Sequence, residues 1–229
     1  MIQRLVSFVL LLASVAMAQT GLPQAGVLLG GTTVTSPIII NNSGHRILAY
    51  TLLFDLGNGA SYPSVFAMLG QLRKLPISSV GIAPGASFPH RSNVQFRDAS
   101  GQSPTARATA VALDSVLFDD GTLVGPDKAG SFDQLTADNQ AEKDVHAILV
   151  TANGAESAWT VLKEIASAGK TAPAVQSSRP QLYQYRYREM SRVYADELVR
   201  VRSAVGDAAA LQLAHSSDFY PTIVKENKQ

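Results

Sequence analysis

The chain has 229 residues, 46% of them apolar and 16% charged, enough to build a core and too little charge for a disordered chain or a long exposed coiled coil. Nineteen Lys and Arg against eighteen Asp and Glu, a net charge of +1, exclude a strongly basic nucleic-acid binder. With no cysteine there is no disulfide framework, no thiolate zinc site and no Cys nucleophile.

Residues 1–18 read as a signal peptide. Arg4 precedes an apolar run from Leu5 to Val15, and Ala16-Met17-Ala18 supplies the small-x-small pattern of a cleavage site, leaving Gln19 as the first mature residue. The run is too short to span a bilayer, so the expected destination is periplasmic or secreted, with no integral membrane segment after cleavage.

Residues 19–126 read as strands and turns. Ile38-Ile39-Ile40 ends at Asn41-Asn42-Ser43-Gly44, His45 to Phe54 is rich in β-branched and aromatic residues, Ile77 to Ile82 stops at Pro84-Gly85, and Arg107 to Phe118 ends at Asp119-Asp120-Gly121. Gly26 to Gly31 reads as a flexible entry to the first strand. The two longest runs are apolar on both faces, which predicts a cover over the sheet's outer side.

From residue 127 to 220 the period becomes helical. Ser131-Phe132-Asp133-Gln134 predicts a capping box and a helix to Asn153-Gly154, and Trp159, Leu162 and Ile165 mark a second helix ending at Gly169. Ser178-Arg179-Pro180-Gln181 predicts another box, opening a helix through Val205, and Asp207 starts a short one to about His215. Residues 221–229 read as a flexible tail.

Leu113-Asp114-Ser115-Val116-Leu117-Phe118-Asp119-Asp120-Gly121-Thr122, followed by Gly125-Pro126-Asp127 and preceded by the Pro84-Gly85 turn, resembles a strand-and-turn signature of exported bacterial proteins with an immunoglobulin-like β-sandwich. The resemblance covers about residues 30–130 and implies a sandwich and export, but no activity. The expected fold is therefore α+β: an immunoglobulin-like antiparallel β-sandwich followed by a C-terminal helical region of three to four helices.

Catalytic patterns are missing from the sequence. No serine sits in a nucleophile elbow, and His45, His90, His146 and His215 are scattered, with His146 read as surface or half-buried. Asp119, Asp120, Asp127 and Asp133 cluster in a way that suits calcium, against a plainer reading as turn and helix-start residues; no cofactor is otherwise expected. Tyr183, Tyr187, Arg188, Met190, Arg192 and Tyr194 form a Tyr/Arg-rich stripe on the third helix, readable as core packing or as an interaction surface. Together these features predict a non-catalytic binding or assembly module that meets a protein partner or itself, and not nucleic acid. The alternative is a secreted hydrolase with its site between sheet and helices.

Overall fold

The computed structural model describes residues 19–31, 33–34, 36–57, 59–67, 79–90, 108–174, 177–215 and 221–226; residues 1–18, read above as a signal peptide, lie outside them. In chain order they form β1 (Gln19–Thr20), a 3-10 turn (Pro23–Ala25), β2 (Val27–Gly30), β3 (Ile38–Asn41), β4 (Ile47–Asp55), β5 (Ser61–Ala67), β6 (Ser87–Pro89), β7 (Ala110–Phe118) and β8 (Thr122–Val124). Helices α1 (Ser131–Thr151), α2 (Glu156–Ala168), α3 (Pro180–Val205) and α4 (Asp207–Ala214) follow, then β9 (Val224–Lys225).

The fold is α+β, with two sheets and four helices among the described residues. The larger sheet runs β5-β4-β7-β8-β9, with β1 beside β8 on the same edge of β7. The smaller runs β2-β3-β6 and is antiparallel throughout. The larger sheet departs from the expected antiparallel pattern: β1 lies parallel to β7, and β9, returning after the helices, lies parallel to β8. Two register shifts interrupt the β4–β7 ladder, between Ile47 and Ala49 and between Thr51 and Leu52.

β4 and β7, the two-faced apolar runs, sit at the sheet centre and are buried along nearly their whole length. Consecutive residues of β4 show what covers each face. Tyr50 points at the smaller sheet, with its hydroxyl on His90 at the end of β6, while Thr51 points the other way and meets Ser131 of α1. The expected helical cover is thus narrow: α1 gives Phe132 and Leu135 to the sheet core, and the rest of the helical region packs on itself.

Its centre is α3, which contacts α1, α2 and α4. One cluster joins Val145, Leu149, Trp159, Leu162, Leu198, Ala210 and Ala214; the other seats Tyr183 and Tyr187 against Ala137 and Ala141, small residues making room for large rings. Neither predicted capping box forms. Ser131 turns its hydroxyl to Thr51, and the Phe132 amide is capped by Asp127 Oδ1 instead. Ser178 gives its hydroxyl to Asp133.

The tail also differs from expectation. Through residue 226 it is tied to the sheet: Val224 N donates to Gly121 O, Glu226 N donates to Leu123 O, and Ile223 is buried in the sheet core. Gly121 (φ 87°) permits this approach, since a Cβ there would lie 2.2 Å from Thr222 O. No helix among the described residues is long and apolar enough to cross a membrane.

Candidate binding groove

At one end of the two sheets lies a groove of about 730 Å³. One wall comes from the 3-10 turn before β2 and the turn after β3, at the end of the smaller sheet; the other comes from the β7–β8 hairpin and the last strand, β9, of the larger sheet. Asn41 builds the first wall. Its Nδ2 donates to the carbonyls of His45 and Ile82 (2.8 Å each), and its Oδ1 accepts from Ser43 N (3.1 Å) and Ser43 Oγ (2.6 Å). This buried amide fixes the 41–45 turn and leaves the His45 side chain on the rim. Gly26, at φ 70°, backs onto the turn so closely that a Cβ would sit 3.0 Å from Ser43 Cα.

On the facing wall, Asp120 Oδ1 accepts from Thr122 N (2.8 Å), shaping the hairpin. His45 bridges the walls: its Nδ1 lies 3.5 Å from Asp119 Oδ1 and 3.6 Å from Asp120 Oδ2, and its ring leans on Phe118 at 5.9 Å. The groove therefore has buried Phe118 and Val124 along its floor and His45, Asp120 and Lys225 at its rim. That mixture, apolar side chains with placed polar groups, is the composition of clefts that hold and orient a ligand. Ser43 Oγ is bonded to Asn41 and to the His45 carbonyl (2.9 Å), not to the imidazole, so these two residues make no nucleophile–base pair.

Between sheet and helices, where a hydrolase site was the alternative expectation, lies a set of buried polar contacts. Asp114 accepts from the amides of Lys128 and Ala129, Asp127 accepts from Phe132 N and Lys225 Nζ, and Thr51 bonds Ser131 at 2.7 Å. All four of Asp114, Asp127, Thr51 and Ser131 are buried, and these bonds occupy them.

The tyrosine-rich stripe is mostly core. Tyr183 and Tyr187 are buried, Met190 and Tyr194 pack against them, and Tyr187 donates to Asp144 Oδ2 at 2.6 Å. Burial and the Asp144 carboxylate together push the Tyr187 hydroxyl far up. Arg188 lies on the outside, donating to the Ala168 carbonyl, and Arg192 pairs with Glu189. A continuous docking patch is not assembled from these six; Tyr185, absent from the predicted set, is the exposed ring at 65%.

The four aspartates of the calcium reading go separate ways, Asp119 and Asp120 to the groove, Asp127 to Lys225, and Asp133 to Ser177 and Ser178. No group of three or more His, Asp or Glu placed to share an ion occurs among the described residues. His146 is fully buried on α1, one turn from buried Glu142, with its ring edge-on to Tyr194, deeper than its place in the sequence suggested.

His90 carried no signal in the sequence, yet it sits buried between the sheets. Its Nδ1 shares a hydrogen bond of 2.9 Å with the Tyr50 hydroxyl, and the rings of Tyr50, Phe54 and Phe66 surround it. Burial pushes the His90 pKa down and the Tyr50 pKa up, so both are neutral.

No family model matches the chain, and no curated protein or solved structure matches it.

Proposed function

We propose that the chain is an exported, non-catalytic module that binds or assembles with a protein partner, and that the groove at the end of the two sheets is its binding site. The carrying observation is the groove itself: an apolar floor with a polar rim, at a volume typical of ligand sites, while Asp114, Asp127, Thr51 and Ser131 between sheet and helices are each hydrogen-bonded. Export rests on the charge, apolar run and cleavage pattern of residues 1–18. An immunoglobulin-like arrangement rests on the strand-and-turn pattern and on the way Tyr50 and Phe66 face Phe88 and His90 across the two sheets.

Gly44 provides the test, because it lines the groove and a Cβ added there meets nothing within 4 Å. Gly44→Trp should fill the groove and leave the fold intact. A displayed-peptide library selected on the mature chain should yield sequences whose affinity drops at least about tenfold, or 1.4 kcal/mol, on Gly44→Trp. Peptides that bind both proteins alike, or no enrichment at all, would remove the groove as a peptide site.

A further inference from the structure

We propose that the groove is acid-gated: protonation of His90 loosens the packing between the two sheets and changes the separation of the groove walls. This rests on the groove being the binding site, and it concerns how that site is regulated.

His90 follows the last residue of β6, and its amide donates to the Pro37 carbonyl (2.8 Å), which ties it to the start of β3. Its ring reaches across to the larger sheet. The groups facing it are Tyr50 and Phe54 of β4 and Phe66 of β5; among the described residues Tyr50 is the titratable one, and no charged neighbour contributes to the imidazole's shift. Nδ1 is hydrogen-bonded to the Tyr50 hydroxyl, with the donor set by the ring tautomer, and Nε2 is a buried atom with no hydrogen-bond partner among the described residues. Once the second proton is added both ring nitrogens are donors, so the Tyr50 hydroxyl must accept from Nδ1 and the Nε2 hydrogen stays buried without an acceptor among the described residues. The resulting cation is then enclosed by aromatic rings, and among the described residues no carboxylate meets it.

An uncompensated buried charge is relieved by letting water in, and here water enters between the sheets. The same two sheets carry the groove walls. The turn at Asn41–His45 closes the β3 end of the smaller sheet, and Ile47, the first residue of β4, pairs with Phe118 on the groove floor. Strands β3 and β4 thus run from the His90 contact to the groove, so a change in sheet separation at one end is carried to the other.

The natural chain has no cysteine, which allows clean labelling. Gln24→Cys and Val224→Cys place one spin label on each wall, at exposed positions. Their distance distribution is read by electron–electron resonance at pH 7.5 and pH 5. The expected result is a longer or broader distribution at pH 5, abolished by His90→Gln, which keeps an acceptor for Tyr50 and cannot charge; His90→Phe is the second variant should that one fail to fold. An unchanged distribution at pH 5 overturns the proposal. So does a change that persists in the His90 variants and disappears in His45→Gln, which would assign it to the exposed imidazole at the rim. The distance is read without any ligand, so failure here leaves the binding reading standing, and failure of the peptide selection leaves this result interpretable.

Discussion

Asp114 lies buried on β7, and its two carboxylate oxygens accept from the amides of Lys128 and Ala129, 2.9 Å each, shaping the loop that enters α1. Asp114→Ala leaves two amides without their acceptor; charged hydrogen bonds contribute about 1.5–3 kcal/mol each, so a loss of roughly 3–6 kcal/mol is expected in urea denaturation. His90 acts through pH. Its folded pKa lies below the ordinary 6.5, so the unfolded chain takes up a proton that the folded chain resists. This contribution to stability is complete above about pH 6.5 and declines as pH falls below that value toward the folded pKa. Denaturation midpoints measured at pH 7.5 and pH 5.5 should therefore fall further in the natural protein than in His90→Gln. Neither role was readable from sequence. Asp114 looked like one letter of a strand motif, and an isolated histidine gives no sign of the ring that will meet it.

Helix α3 was readable as a helix, and its stripe left two meanings open. Tyr183, Tyr187, Ala195 and Leu198 recur at spacings that pack one face, and the structure buries them against α1, α2 and α4. Sequence could not choose because a Tyr/Arg stripe looks the same whether its partner is in the same chain or another. The capping boxes failed for a related reason: Ser131 and Ser178 had better partners from distant residues, Thr51 and Asp133, than their own helix amides offered. Because α3 is the hub, a chain ending at Ser178 should lose the core around Trp159. Its helical circular dichroism should fall by more than the missing residues account for, and it should aggregate in sedimentation while the full chain does not. A folded monomer from that truncation would return α3 to the role of an accessory surface. Tyr187→Phe tests the same core more gently: losing the bond to Asp144 should cost about 1–2 kcal/mol, seen as a lower melting temperature.

At the scale of the molecule, the boundary between strands and helices was visible in the change of period near residue 127, and the strands β3, β4 and β7 lie close to where their apolar runs predict them. Periodicity missed the seven-residue β5 and the short β1, β2, β6, β8 and β9, whose sequences are too brief to carry a period; β1 and β9 also pair with strands far away in the chain. The return of the chain after α4 matters most. It brings Lys225 to Asp127, 2.9 Å apart with the carboxylate buried, so the last strand, the loop before α1 and the sheet are fastened at one point. Thr51 with Ser131, and Leu135 in the sheet core, complete that joint. Sheet and helices should therefore unfold together, although most helical contacts lie within the helical region. Trp159, the single tryptophan, reports the helical core, and amide exchange along β4 reports the sheet. In the natural protein the two transitions should coincide. Asp127→Asn keeps an acceptor for Phe132 N and tolerates the positive φ of 54° at this position, but removes the charge facing Lys225. With Lys225 about a third exposed, the expected cost is about 1–2 kcal/mol, and it falls on the joint alone. The tryptophan transition and β4 exchange should then separate; coincident transitions in Asp127→Asn would place the coupling in the Thr51–Ser131 contact and the Leu135 packing instead.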